Sequence, residues 1–145
     1  MSIVQLVDVH FDDLDAMGML HNSRYALLFE RAVTAYWTPL GWSPDIAKSR
    51  FDDVFLAVKE FSITYQAPVT EPGPVAVEFW IEKLGTSSAV YGFRVLSADR
   101  SVLHAEGRRV NVKLDPRTLR PAPISQELRD AAAPLMAAGS LALRV

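Results

Sequence analysis

The order of apolar and polar residues predicts an α+β domain in which an antiparallel sheet curls around one buried helix. Three observations carry this. A single helical period of apolar residues runs from about Ser23 to Trp37, four strand-like segments follow it in succession, and one further strand precedes it.

In the first segment Ile3, Gln5, Val7, Val9 and Phe11 alternate with Val4, Leu6, Asp8 and His10, the period of a strand. Residues 12–22 break that period. Tyr25, Leu28, Phe29, Ala32, Val33, Tyr36 and Trp37 then recur at helical spacing until Pro39 and Gly41 stop the run. Only Arg24, Glu30, Arg31 and Thr34 are strongly polar in it, so the helix reads as apolar over most of its circumference and wrapped by other elements. Val54 to Gln66 reads as the next strand, ended by Pro68. Val75, Val77, Phe79 and Ile81 face one way in the strand after it, with Glu78 and Glu82 opposite. Gly85 to Ser88 turns into Ala89–Leu96, and Asp99-Arg100 turns into Val102–Leu114. The apolar phase of that last strand blurs near Gly107, which reads as a bulge or bend. Gln126 to Ala138 reads as a short amphipathic helix containing Pro134. One domain over 1–145 is expected, with a core of residues 1–124 and a helical tail of 125–145. A sheet with exposed edges favours pairing with a second copy, so a homodimer or homotetramer is expected.

Composition narrows the function. The 145 residues contain no cysteine, which removes disulfides, thiolate metal sites and a cysteine nucleophile. The net charge of −2 argues against nucleic-acid binding, and the seven scattered glycines form no phosphate loop. No stretch approaches the ~18 apolar residues of a membrane span, and no leader peptide is readable. A cytoplasmic protein that binds neither membrane nor nucleic acid is expected.

The segment Asp12 to Tyr25 gathers three carboxylates, Gly18 and His21 at a helix start. Asn22 or Ser23 suits the N-cap, and upstream acids suit the helix dipole. Free amides of a buried helix start can also hold a developing negative charge, while a nearby carboxylate supplies a base or nucleophile.

Asp15-x-x-Gly18-x-x-x-Asn22-x-x-Tyr25, followed by Phe29-Glu30-Arg31-Ala32, resembles the signature of hotdog-fold acyl-CoA thioesterases of the 4-hydroxybenzoyl-CoA thioesterase type. Tyr65-x-x-Pro68-Val69, Leu84-Gly85 and Asp115-x-x-Thr118-x-Arg120-Pro121 resemble that family in order and spacing, so the resemblance spans about residues 3–125. It implies a hotdog fold, with a long central helix in a curved five-stranded antiparallel sheet, and an acyl-CoA substrate. It also implies Asp15 as catalytic carboxylate, and at Asn22 a backbone amide that polarises the thioester carbonyl. No metal and no bound cofactor is implied.

Some relatives place histidine at the position of Asn22, whereas here it is His21. One residue near a helix start turns a side chain by ~100°, so His21 is expected only as a substrate-pocket or supporting group. The expected substrate contacts are Gly18, His21 and Tyr25, with Ser62 and Thr64 on the next strand. Arg108 and Arg109, in a basic strip with Lys113, Arg117 and Arg120, suit coenzyme A phosphates or a solvated strand face. Glu30, beside Arg31, reads as a structural ion-pair or interface residue, and Tyr36, Trp37 and Trp42 as core packing or the wall of an acyl pocket. His10, His21 and His104 lack the spacing of metal ligands. The alternative functions are a hotdog dehydratase or hydratase, built on His21 and Glu30, and a non-catalytic acyl-CoA-binding protein.

Overall fold

The structure, a computed structural model, describes residues 2–143. Strands β1 (Ile3–Val9), β2 (Leu56–Tyr65), β3 (Gly73–Leu84), β4 (Ser88–Ser97) and β5 (Leu103–Lys113) form one curved antiparallel sheet in the order β1-β3-β4-β5-β2. Helix α1 (Tyr25–Trp37) lies on its inner face, and α2 (Gln126–Leu143) packs along β3. Among the described residues no helix is long and apolar enough to cross a membrane.

Strand alternation sets the core. Val75, Val77, Phe79 and Ile81 of β3 are buried, and Val77 and Phe79 stand opposite Val95 and Phe93 of β4. The fully buried Phe29 of α1 packs 4.6 Å from Phe93, 5.7 Å from Tyr91 and 6.2 Å from Phe79, centroid to centroid. Burial of each such ring contributes roughly 1.5–3 kcal/mol. Only one flank of α1 is buried: Ala26, Leu27, Glu30, Arg31, Thr34 and Ala35 are exposed. Alanines at 26 and 35 make the helix look apolar all round, but they are small enough to face water at little cost.

Four local expectations change. The first strand ends at Val9, opposite Gly73, and Phe11 opens a one-turn 3-10 helix in which it is 82% exposed. The bulges fall at Lys59, Glu82 and His104, each left without a register partner, and not at Gly107. Gly107 pairs regularly with Ile63 and Phe93; a Cβ there would lie 2.1 Å from the Ser62 carbonyl oxygen, so close strand approach requires glycine. The apolar phase blurs because the inward positions beyond Gly107 are Arg109, Asn111 and Lys113, all buried. Finally, α2 continues through Pro134 to Leu143, and Leu128, Ala132 and Leu135 join the main core.

Candidate active site

The chain between β1 and α1 is a folded unit. The buried Asp13 accepts the His10 N–H at 2.8 Å through Oδ2 and pairs with Arg24 Nε at 3.4 Å through Oδ1. Leu14 and Leu20 then bridge, and the Asp15 N–H donates to the Met19 carbonyl at 2.7 Å, closing a tight loop over residues 16–18. Gly18 sits at φ +75°, a left-handed conformation that favours glycine. Inside the loop Asp15 Oδ1 accepts the Met17 and Met19 amides at 2.8 and 3.1 Å. Oδ2 takes no hydrogen bond from the described residues. The carboxylate is thus oriented by one oxygen and available through the other.

The loop is docked from both sides. The Leu20 N–H donates to the Val69 carbonyl at 2.8 Å and the His21 N–H to the Asp13 carbonyl at 3.0 Å. The Tyr65 hydroxyl donates to the Asn22 carbonyl at 3.4 Å, and the Tyr65 ring meets the buried Tyr25 edge-on at 5.1 Å. Burial, with a smaller contribution from Tyr65, raises the Tyr25 pKa. Tyr25 therefore fixes the helix start by packing. The helical run begins with a 3-10 turn, Asn22–Arg24, and its N-cap is His21 in place of the expected Asn22 or Ser23: the His21 ring nitrogen accepts the Ser23 N–H at 3.1 Å. The Asn22 N–H, first of the run, has no acceptor among the described residues.

The sheet divides the remaining candidates. Ser62 and Thr64 are exposed and line a groove of ≈ 430 Å³ on the face opposite α1. Arg108 lines the same groove and pairs with Glu82 at 3.2 Å. Arg109 points inward, its Nη1 3.1 Å from Glu30 Oε1 and its Nε donating to Asn111 Oδ1 at 2.9 Å. Lys113 is also internal, 2.7 Å from Asp52 and 3.1 Å from Asp53. The basic strip is thus not one surface, because neighbours on a strand face opposite ways, and Glu30 serves Arg109 across the fold instead of Arg31. Arg117 and Arg120 remain exposed on a turn whose backbone Asp115 holds.

Arg109, Asn111 and Lys113 line an inner cavity of ≈ 230 Å³ together with Tyr91, Trp37 and Trp42. Trp37 and Trp42 are thus cavity wall, whereas Tyr36 packs on Trp37 and Phe79. Burial pushes the Tyr91 pKa up to about 12 against the Trp37 N–H it accepts at 3.0 Å. Burial works to lower the Lys113 pKa, and its two aspartates outweigh that and raise it. Sequence reading missed Tyr91, Asn111 and Asp53; the blurred phase of β5 was the signal for Asn111 alone. His104 is committed to the Ala67 carbonyl at 2.9 Å. Among the described residues the one group of three potential metal ligands is His10, Asp12 and Asp13 on the exposed turn, where Asp13 is already paired with Arg24.

One long helix laid on a curved five-stranded antiparallel sheet is the hotdog fold, and the relatives that share it make this chain a thioester hydrolase. The chain belongs to the thioesterase-like superfamily, whose description matches residues 9–132. It is similar to the PA5185 protein of Pseudomonas aeruginosa, at 31% identity, a TM-score of 0.79 and coverage of 92% of this chain and 90% of that one. A Thermus thermophilus thioesterase complexed with coenzyme A and Zn is 25% identical with a TM-score of 0.74, over 92% and 94% of the two chains. The acyl-CoA thioester hydrolase YbgC of Escherichia coli is 24% identical over 115 residues, 79% of this chain and 84% of that protein.

Proposed function

We propose that this protein is a cytoplasmic acyl-CoA thioesterase that releases a free carboxylate and coenzyme A, with Asp15 as the reacting carboxylate. The observation that carries the reading is the Asp15 side chain itself: Oδ1 is held by two loop amides and Oδ2 is unengaged, across a tight loop from the open Asn22 amide. As base, Oδ2 takes a proton from water while the water oxygen attacks the thioester carbonyl. The Asn22 N–H and the helix start stabilise the oxyanion. Collapse breaks the C–S bond, and the thiolate leaves as the thiol after taking up a proton. As nucleophile, Oδ2 attacks the same carbon, expels the thiolate and forms an anhydride that water then hydrolyses. The free oxygen serves either route.

Arg108, Arg117 and Arg120 are the exposed cations of the former strip and suit the phosphates of coenzyme A. A second copy fits the free edge of β2, whose backbone groups have a partner only on the β5 side. The test is free-thiol release across a panel of acyl-CoA thioesters, with Asp15→Asn beside the natural chain. Asn keeps the Oδ1 acceptor, so the loop folds while kcat falls by roughly 10²–10⁴. Full turnover by Asp15→Asn refutes the assignment of Asp15, and tight binding without thiol release refutes the enzyme.

A further inference from the structure

The sheet face turned away from α1 carries the one buried polar side-chain atom without a partner among the described residues, Trp80 Nε1. Trp80 lies on β3, is 7% exposed, and lines the outer groove of ≈ 430 Å³. Its ring is pinned in place: the Arg94 guanidinium carbon lies 4.9 Å from the ring centre, and Arg94 is itself held by Glu78 at 3.1 Å. The direction of the indole N–H is therefore fixed. Buried donors without acceptors are costly and rare, so the groove calls for an acceptor from outside the chain.

The surroundings of Nε1 say what kind of acceptor. Trp80 stands opposite Gly92 of β4, and a Cβ at Gly92 would lie 2.5 Å from Trp80 Nε1 and 2.6 Å from Glu82 Oε1. The space above this glycine is thus flanked by a fixed donor and a fixed acceptor. Glu82 is the bulged residue of β3, and a bulge re-aims a side chain. Its Oε2 is held by Arg108 Nε at 3.2 Å, and its Oε1 takes no hydrogen bond from the described residues. A group that accepts from the indole and donates to the carboxylate completes both. A hydroxyl does so, whereas an ionised carboxylate has no proton for Glu82 and an ammonium has no lone pair for Trp80.

The rest of the groove extends the pattern. Arg94 and Arg108 balance Glu82 and Glu106 in its lining, which favours a neutral ligand. Across the sheet Gly92 stands opposite Arg108, and Arg108 opposite Ser62. Ser62 and Thr64 are exposed, and their hydroxyls bond to nothing among the described residues. Gly92 and Ser62 are two strand spacings apart, ~10 Å, the reach of a pair of linked sugar rings and more than that of a single ring. At ~30 Å³ per water the groove has the room of about fourteen waters, enough for such a ligand. No residue of the Asp15 loop or of the inner cavity lines it.

We propose that this outer groove is a second binding site, which takes a neutral polyhydroxylated ligand of disaccharide size with one hydroxyl set between Trp80 Nε1 and Glu82 Oε1. The proposal does not rest on the thioesterase reading. Its test is titration of the isotope-labelled full chain with maltose, read by calorimetry and by the indole N–H resonances of the three tryptophans. Trp80→Phe identifies the Trp80 resonance by its loss. Maltose shifts that resonance saturably, with a Kd of about 1 mM, and leaves those of Trp37 and Trp42 in place. Permethylated maltose, which accepts hydrogen bonds and donates none, binds at least about tenfold more weakly. Glu82→Gln, which keeps an acceptor and loses its charge, weakens maltose about three- to tenfold, as does Trp80→Phe. If Trp80→Phe does not fold, Glu82→Gln and the methylated sugar decide by calorimetry. No binding by ~10 mM maltose, equal binding of the methylated sugar, or unchanged affinity in Glu82→Gln overturns the proposal. Displacement of maltose by coenzyme A, or a Trp80 shift that follows protein concentration instead of sugar, overturns it equally, in favour of a phosphate or of a second copy of the chain.

Discussion

Replacing Tyr91 by phenylalanine changes how stability depends on pH, by an amount set by its burial. The phenol is held up at about 12 in the native state, against its ordinary value of 10.0. Below pH 10 both states keep the proton and the group contributes no pH dependence. Between 10 and 12 only the unfolded chain ionises, so the native state loses about 1.4 kcal/mol per pH unit, about 3 kcal/mol across the window. At ~2–4 °C per kcal/mol for a domain of this size, that lowers the melting temperature by about 6–12 °C. Tyr91→Phe abolishes this slope at a cost. The Trp37 N–H, 3.0 Å from the hydroxyl, is left unpaired, which destabilises by about 1–3 kcal/mol at neutral pH. The natural chain is therefore the more stable at pH 8, and its advantage shrinks to nothing or reverses by pH 12. Lys113, Tyr25 and Tyr36 also titrate in alkali, but they do so in both proteins, so the difference between the two curves isolates Tyr91. Melting followed by circular dichroism from pH 8 to 11.5 measures it. A stability difference that stays constant over that range refutes the buried, proton-holding phenol.

Gly107→Ala puts a methyl 2.1 Å from the Ser62 carbonyl and 3.0 Å from Ile63 Cα, both backbone atoms of β2. Expected destabilisation is about 3 kcal/mol, the upper end for overpacking, and a melting temperature within ~2 °C of the natural chain contradicts the close approach. Asp53→Ala removes a fully buried carboxylate that accepts the Ser125 N–H at 2.9 Å, the Ser125 hydroxyl, and Lys113 at 3.1 Å. It costs about 3–5 kcal/mol in urea unfolding, whereas Asp52→Ala, at a 67% exposed partner of the same lysine, costs about 0–1 kcal/mol. Equal losses show that the two aspartates are not divided between core and surface.

The legible parts of this chain are those where one residue type fills one face. β3 reads correctly because Val75, Val77, Phe79 and Ile81 are all apolar and all buried. The Asp15 loop is a compact local unit, because the aspartate, the left-handed Gly18 and the helix start close on one another through backbone bonds. β5 resists reading because its inward row is polar and its partners lie far along the chain, Glu30 at a separation of 79 residues and Asp52 at 61. A local rule gives Glu30 to its neighbour Arg31, since only the sheet brings Arg109 to it. The N-cap is misplaced by one residue for a similar reason. Asn22 and Ser23 are the stronger capping types, but the Asp13 carbonyl and Val69 fix the backbone so that the His21 ring falls on the Ser23 amide.

The helix start carries no acidic cap, because of what its own sequence omits. Neither the 3-10 turn Asn22–Arg24 nor the first turn of α1 carries an acidic residue. The loop acids lie upstream, where Asp13 is spent on Arg24 and on the His10 amide, and Asp15 turns Oδ1 toward the Met17 and Met19 amides. A cap by a carboxylate would neutralise the positive end of the helix and contribute about 0.3–1 kcal/mol of stability. The His21 cap satisfies the Ser23 amide through a ring nitrogen in place of a carboxylate and leaves the Asn22 amide without an acceptor among the described residues. Under the proposed mechanism, that arrangement forgoes some stability and keeps a preorganised donor for negative charge that develops only during reaction. Asp15 is treated in the same way: it is anchored by one oxygen, and the other stays free.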